Sequence, residues 1–332
     1  MIKVSVPGKL IISGEHAVVY GSPALAAAID KYVHVELTSL PETYIEFFGG
    51  PQFQIKISFS DFWQRFEDLK NRYQNFLAGT CAVTAISQDW YDLPLYALGQ
   101  FFQYTQIELK QGLHFSISGD LPIGYGLGSS AAIIVAILRA ACAYFNRPLT
   151  LAELQRLAVL AENLQHGHSS GLDPSICLQG GVVLYTSPGH FETRNFKPWS
   201  AYLINTGHAQ SSTGECVTWV KQHAFQPMLW ERFAQVTRAC DQALQNQNLV
   251  ELQAAIRENH QLLCRIGVVP QVIQEVIEGL EERDYAAKIC GAGSIRGNNV
   301  GYLLIVGTND ITHYLEQFGY HIENVYLGVT TS

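Results

Sequence analysis

The sequence has little charge and lacks the marks of a disordered or membrane-spanning chain. Of its 332 residues, 15% are charged and 48% are hydrophobic, whereas disordered chains combine high charge with low hydrophobicity. The longest apolar stretch, residues 131–138, is ended by Arg139 and is too short to cross a bilayer. Residues 1–7 are typical of a strand rather than of a signal peptide. We therefore expect a globular protein, long enough for two domains.

Cysteine and basic residues are also sparse. The seven cysteines form no C-x-x-C pair, which excludes zinc and dithiol motifs of that type, and their odd number fits reduced thiols in the cytoplasm. With 21 basic and 29 acidic side chains, the net charge of −8 argues against a general nucleic-acid partner and still allows a local anion pocket. The sequence contains no internal repeat and no low-complexity tract, which argues against a solenoid or a tailed architecture.

Local patterns predict a mixture of strands and helices. Alternating apolar and polar residues predict strands at 33–38 and 113–118, and an apolar run predicts another at 300–306. Residues 131–145 are apolar on nearly every side, which predicts a buried helix. The capping box from Thr150 to Glu153 predicts the start of the next helix.

A second helical region is predicted over roughly 228–283, with interruptions at Gly267 and Pro270. Because strands and helices are mixed in both halves, the patterns predict an α+β fold. The broken, polar stretch 187–199 predicts the seam between two domains, which we place at 1–198 and 199–332.

A glycine-rich loop runs directly into the predicted buried helix. It reads Pro122-Ile123-Gly124-Tyr125-Gly126-Leu127-Gly128-Ser129-Ser130-Ala131. Glycines allow positive φ and the close approach of a ligand, and the first turn of a helix offers unpaired N–H groups to an anion. The serine hydroxyls could contact phosphate or Mg²⁺. No Gly-Lys-Ser/Thr follows, so this is not a Walker A loop.

Two other interpretations of this loop stay open. It could be a tight turn in which Ser129 or Ser130 caps the helix. Gly126, Gly128 and Ala131 also fit the G-x-G-x-x-A fingerprint of dinucleotide-binding oxidoreductases. That fold needs a strand after the helix, however, and the sequence predicts a second helix there.

Two further glycine-rich segments contain charged residues. In residues 7–21, Lys9, Glu15 and His16 lie among glycines and apolar residues, where the alternative is a hairpin whose charges face water. Residues 288–299 contain Gly291, Ala292 and Gly293 before the tail strand. Taken alone, this segment would be an ordinary loop between a helix and a strand.

In order, these segments resemble the three signature motifs of the GHMP kinases, the family of galactokinase, homoserine kinase, mevalonate kinase and phosphomevalonate kinase. The resemblance spans nearly the whole chain. The wording G-E-H-A-V-V-Y-G at 14–21 is most similar to the mevalonate kinases. Residues 162–173 are similar to the stretch of those enzymes in which a Mg²⁺-binding glutamate precedes a catalytic aspartate through H-G-x-x-S-G-x-D.

The resemblance implies a fold and a set of site residues. The fold would be an N-terminal α/β domain similar to domain 2 of ribosomal protein S5, followed by a ferredoxin-like C-terminal domain. The catalytic residues would be Asp173 and Lys9, and Mg²⁺ would be held by Ser130 and Glu162. The acceptor site would be shaped by Glu15, His16, Ser170 and Thr213. The nucleotide would contact Pro122, Gly124, Gly126, Leu127, Gly128, Ser129, Ser130 and Ala131, with the third-motif loop Gly291, Ala292 and Gly293 nearby.

Three departures from the family pattern are visible. Ser294, Ile295, Arg296, Asn298 and Asn299 interrupt the third motif, which is usually a denser run of glycines. Gln210-Ser211-Ser212 stands before Thr213, where the family's mevalonate kinases commonly carry a basic residue. His168-Ser169 stands before Ser170 in place of the usual Asn-Pro.

The implied activity is the ATP- and Mg²⁺-dependent phosphorylation of a small alcohol, with mevalonate to 5-phosphomevalonate in isoprenoid synthesis as the first choice. Phosphomevalonate or another acceptor of the family is the alternative, and a dinucleotide-dependent oxidoreductase is a distant one. A catalytically idle relative and a homodimer also stay open. No nucleic-acid or membrane partner is implied.

Single residues also have simpler interpretations. Glu162 and His166 are one helical turn apart and could suit zinc, although no third ligand follows at the usual spacing. Asp173 could cap a turn, and Thr213 could be the N-cap of a helix before Glu215.

Overall fold

Strands and helices are mixed along the whole chain, which confirms the α+β prediction. The computed structural model describes residues 1–187, 190–194, 197–224, 226–308 and 311–331. The strands are β1 Ile2–Ser13, β2 Ala24–Leu40, β3 Tyr44–Phe48, β4 Gln54–Ser58, β5 Gly112–Gly119, β6 Val182–Ser187, β7 His190–Arg194, β8 Trp199–Asn205, β9 Ala286–Ile289, β10 Tyr302–Val306 and β11 Ile322–Leu327. The α-helices are α1 Phe59–Leu77, α2 Asp92–Thr105, α3 Ser129–Tyr144, α4 Leu151–His166, α5 Leu172–Gln179, α6 Thr213–His223, α7 Pro227–Gln245, α8 Leu249–Arg265, α9 Gln271–Glu281 and α10 Thr312–Glu316.

The long strand β2 is the centre of the sheet. Within the described residues the sheet has the order β4-β3-β5-β2-β11-β8-β10-β9, and β1 and β6 also pair with β2. One edge of β2 pairs antiparallel with β1, and the other edge pairs with β6, β11 and β5 in turn. The alternation in residues 33–38 is confirmed, since Val33, Val35 and Leu37 are buried and His34 is exposed.

Small residues on β2 let a short helix approach the sheet closely. Ala24, Ala26 and Ala28 are buried and pack with Leu172 and Ile176 of α5. Ala28 also pairs with Lys9 of β1, and directly paired residues in an antiparallel ladder share one face of the sheet. The packing therefore brings the start of α5 to the same face as Lys9.

The predicted helices are mostly confirmed. The apolar helix α3 is buried against β1 and β2, and Thr150 and Glu153 form both bonds of the capping box at the start of α4. The second helical region consists of α7, α8 and α9. The gap at 266–270 fits the predicted interruptions, but the break between α7 and α8, where Gln247 has a φ of 53°, was not predicted.

The C-terminal half adds an antiparallel group of strands to the sheet. Strand β11 pairs with β8 along its length and meets β2 through Leu327 and Ile29. The Gly328 N–H donates to the Ala28 carbonyl at 2.7 Å beside this pair. The division at 198/199 stays a prediction, and four residues of the predicted seam, Pro188, Gly189, Asn195 and Phe196, lie outside the described residues. None of the described helices combines the length and the apolar character needed to cross a membrane.

Candidate active site

A buried ion pair joins the first strand to helix α5. The Lys9 Nζ lies 2.8 Å from the Asp173 Oδ2, and the Lys9 side chain is almost fully buried. Burial by itself lowers the pKa of Lys9, but the ion pair with Asp173 and the charge of Glu162 outweigh it and raise the pKa above its usual value. The N-cap of α5 is Gly171, so the interpretation of Asp173 as a cap is wrong. The pair supplies a cation and a carboxylate side by side.

The glycine-rich loop packs directly on the stem of Lys9. The Lys9 N–H donates to the Leu127 carbonyl at 2.9 Å. A Cβ added at Gly128, which has a φ of 76°, would lie 2.5 Å from the Lys9 Cγ. Only glycine fits this position, because a side chain would meet both an unfavourable φ and the lysine stem. The loop therefore begins helix α3 immediately beside the ion pair.

The hydrogen bonds of the described residues leave the first backbone N–H groups of α3 without a partner. Its N-cap is Gly128, which makes no side-chain cap, so the interpretation of Ser129 or Ser130 as the capping residue is wrong. The first helical bond is Ala132 N–H to the Gly128 carbonyl, at 3.0 Å. The N–H groups that precede it, with the positive end of the helix dipole, suit an anion such as phosphate. Helix α4 follows α3, and not the strand that a dinucleotide fold requires.

Glu162 supplies a buried carboxylate next to the ion pair. It is 1% exposed; its Oε2 accepts a hydrogen bond from the Ser169 Oγ, and its Oε1 has no partner among the described residues. Burial, together with the negative charge of Asp173, raises the pKa of Glu162 to about 8. The hydrogen bond from Ser169 and the positive charge of Lys9 lower this pKa, but they do not cancel the rise. A buried carboxylate oxygen without a partner and a serine hydroxyl are the kinds of hard oxygen ligand that Mg²⁺ prefers, so the chemistry of Glu162 and Ser130 fits this ion.

The zinc interpretation of Glu162 and His166 gains no support. His166 is exposed at the end of α4. Within the described ranges, no three His, Cys, Asp or Glu side chains group together in a way that could hold a metal, whereas zinc sites require at least three such ligands.

The first and third motifs are joined by a second buried ion pair. Lys288 is 0% exposed and donates to Glu15 Oε1, to the Ile11 carbonyl at 3.1 Å and to the Ile289 carbonyl at 2.6 Å. The Glu15 side chain is 2% exposed, so the interpretation of this segment as a hairpin with solvated charges is wrong. Sequence reasoning missed Lys288, although a lysine inside the apolar run 285–290 was a signal for a buried partner.

His16 ties the same two motifs together beside this ion pair. Its Nε2 lies 2.9 Å from the Ala292 carbonyl, and the residue is 2% exposed. Burial, helped by the nearby Lys288 charge, lowers the pKa of His16. A neutral His16 therefore holds the third-motif loop against the first motif.

The interrupted third motif still lies against the glycine-rich loop. A Cβ added at Gly126 would be 3.1 Å from the Cys290 carbonyl oxygen, and one added at Gly291 would be 3.6 Å from the Gly126 Cα. The interrupting residues fix the loop on its other side, since the Ser294 Oγ donates to the Ser211 Oγ at 3.0 Å. The serine thus anchors the loop where the family pattern has more glycine.

Two predicted acceptor residues are exposed. Ser170 accepts the Leu172 N–H at 3.2 Å, which places it in the turn before Asp173. Thr213 is the first residue of α6, and Ser212 forms the N-cap with Glu215, so the interpretation of Thr213 as the N-cap is wrong by one residue. Among the described contacts, none links Thr213 to Lys9 or Asp173.

The arrangement can stabilise negative charge and accept a proton at one place. It combines an ammonium and a carboxylate in contact, a second carboxylate with a free oxygen, and free N–H groups at the start of α3. Transfer of a phosphoryl group to an alcohol needs this combination, because positioning and charge neutralisation dominate its catalysis.

Comparison with known proteins agrees with this geometry. The family model "GHMP kinases N terminal domain" matches residues 82–181, and "GHMP kinases C terminal" matches residues 242–295. The mevalonate kinase of Thermococcus onnurineus is 30% identical over 305 residues, which cover 88% of this chain and 86% of that protein. The mevalonate kinase of Methanococcus jannaschii has a crystal structure that matches with a TM-score of 0.81 at 21% identity, over 99% and 98% of the two chains. The mevalonate kinase of L. major, solved in complex with R-mevalonate, matches with a TM-score of 0.73 at 22% identity, over 100% and 97%.

Proposed function

The chain belongs to the GHMP kinases, a family of small-molecule kinases with a two-domain fold, and we propose that this member phosphorylates mevalonate with ATP. The expected family and fold are thereby confirmed. The observation that carries the proposal is the contact of Lys9 with Asp173 beside the start of α3. The amino-acid sequence of the first motif favours mevalonate as the acceptor, and so do the relatives named mevalonate kinase.

In the proposed reaction, Asp173 receives the proton of the acceptor hydroxyl as that oxygen attacks the γ-phosphorus. Lys9 lowers the energy of the negative charge that develops on the oxygen. The proton moves from the hydroxyl to a carboxylate oxygen of Asp173, while the bond from the γ-phosphorus to ADP breaks. The raised pKa of Lys9 keeps its charge in place over the neutral pH range.

The triphosphate would lie at the start of α3, with the backbone N–H groups of Gly126, Gly128 and Ser129 as its proposed donors. Ser130 and Glu162 would hold Mg²⁺. When bound, Mg²⁺ neutralises part of the charge on the phosphate oxygens. The third-motif loop at Gly291–Gly293 would border the phosphates, since it contacts Gly126.

Glu15, His16, Ser170 and Thr213 are proposed to shape the acceptor site. The side chains of Glu15 and His16 are buried, so they would act by fixing the backbone that surrounds the acceptor. Ser170 lies in the turn before Asp173 and would contact the acceptor directly. Thr213 would contact it from the first turn of α6.

The acceptor is tested by following ADP release with mevalonate, phosphomevalonate, galactose and homoserine. We expect turnover with mevalonate at least about tenfold above the others in kcat/KM, because a site built to hydrogen-bond one acceptor leaves polar groups unpaired with another. If only phosphomevalonate supports turnover, the acceptor is phosphomevalonate and not mevalonate. Reduction of NAD with no ADP release would contradict kinase activity altogether.

A cytoplasmic location and a homodimer complete the proposal. Both stay predictions, and fractionation of cells and sedimentation of the purified protein measure them directly.

A further inference from the structure

Ser169 touches both the proposed metal ligand and the helix that carries Asp173. Its Oγ donates to Glu162 Oε2 and accepts the Gly171 N–H at 3.0 Å. Its backbone N–H donates to Asn163 Oδ1 at 2.7 Å.

The hydrogen bond from Ser169 decides which oxygen of Glu162 is free. Without a hydrogen-bond partner, a glutamate carboxylate can turn either oxygen towards a ligand, because the χ3 torsion of glutamate has a broad distribution. Here Oε2 is occupied by the hydroxyl, while Oε1 is buried and has no partner within the described residues. The carboxylate therefore presents one defined oxygen, and its orientation is fixed before a cation arrives.

The same hydroxyl connects Glu162 to the start of α5. Gly171 is the N-cap of that helix, with a φ of 78°, and Asp173 lies in its first turn. Because one oxygen atom bonds to both Glu162 and Gly171, a displacement of the carboxylate would be transmitted to the turn that carries Asp173.

This arrangement depends on a departure of the sequence from the family pattern. Ser169 stands where the pattern resembled by this chain has proline, and proline has neither a hydroxyl nor a backbone N–H. Both groups of Ser169 are used here, one by Glu162 and one by Asn163.

We propose that Ser169 is a positioning residue of the magnesium site, which orients Glu162 so that its Oε1 faces the cation. The inference rests on the proposed function only in taking Glu162 as a ligand of Mg²⁺. Hydrogen-bond partners of metal-binding carboxylates typically change metal affinity by 10- to 100-fold when they are removed.

The test measures ADP binding by calorimetry over a series of Mg²⁺ concentrations, which requires no acceptor and no turnover. In Ser169→Ala the Mg²⁺ concentration that gives half of the maximal ADP affinity should rise about tenfold. Ser169→Thr keeps the hydroxyl and should stay near the wild-type value. Ser169→Cys keeps the size but has only a weak donor, so it should behave as Ser169→Ala does and serves if the alanine variant does not fold.

Two further variants separate positioning from a general loss of structure. Ser5→Ala removes a serine bonded to His34 at 2.8 Å, away from the proposed site, and should leave the Mg²⁺ dependence unchanged. In a Glu162→Gln background, Ser169→Ala should change the Mg²⁺ dependence by less than about twofold, because the residue through which it acts is already altered.

Two results would overturn the inference: an unchanged Mg²⁺ dependence in a folded Ser169→Ala protein, or a tenfold effect that persists in the Glu162→Gln background. If the wild type fails to phosphorylate mevalonate but the Mg²⁺ dependence shifts as described, the proposed acceptor is wrong and the role of Ser169 stands.

Discussion

Replacing Lys288 with methionine should destabilise the protein strongly. Lys288 is fully buried and pairs with the carboxylate of Glu15. The Glu15 side chain is 2% exposed, and its Oε2 has no partner among the described residues. The variant would leave that carboxylate buried and unpaired. Breaking a buried ion pair in this way costs about 3–5 kcal/mol, a large fraction of the 5–15 kcal/mol typical of a folded protein, by order of magnitude.

The free energy of unfolding is measured in urea, with circular dichroism and tryptophan fluorescence as independent probes. Lys3→Met is the matched control, because Lys3 also pairs with a glutamate, Glu36, but both side chains are exposed and such pairs contribute little. The double variant Glu15→Gln with Lys288→Met should recover at least half of the lost free energy of unfolding, because it removes the unpaired buried charge of Glu15. A loss no greater than that of the control, or a double variant no more stable than Lys288→Met alone, would refute the reasoning.

Three other perturbations test the site and its surroundings. Asp173→Asn should lower kcat by about 10²- to 10⁴-fold while ADP binding stays within a few-fold of the wild type, and unchanged turnover would reject its role. Gly128→Ala should lower kcat far more than Gly79→Ala. Both glycines have a positive φ, but only a Cβ at residue 128 would meet the Lys9 side chain, 2.5 Å from its Cγ. Equal effects of the two variants on kcat in steady-state assays would contradict that contact. Burial lowers the pKa of His260 to about 4, so the unfolded chain binds a proton below pH 6.5 that the native state does not. As the pH falls from 7 to 4 the wild type should therefore lose about 3 kcal/mol of stability relative to His260→Gln, and parallel stability curves for the two proteins would exclude this.

The local elements of the fold could be predicted because their signals lie within short stretches of sequence. The strand at 33–38 alternates, α3 is apolar on nearly all sides, and α4 starts with a capping box. Helix α1 was also readable from its Ser58 cap and from the helical spacing of its buried residues Phe62, Phe66 and Leu69, although it was not predicted. The sequence therefore contained enough local signal to predict α1.

The contacts that build the site could not be derived from local patterns. Lys288 and Glu15 are separated by 273 residues, and nothing in either segment specifies the other. The resemblance to the GHMP kinases suggested that Lys9 lies near Asp173, but it gave no role to Lys288 or Ser169. Those two residues became visible only when the sheet and α5 placed their partners beside them.

The place of β11 in the sheet has a consequence for biosynthesis. It is the last of the described strands along the sequence, yet it lies between β2 and β8. During translation, the strands made before residue 322 can form only two separate groups, each with an open edge. Open strand edges are prone to pair with other chains, so the nascent polypeptide stays vulnerable to aggregation until β11 leaves the ribosome. Chaperone engagement should therefore persist late in synthesis.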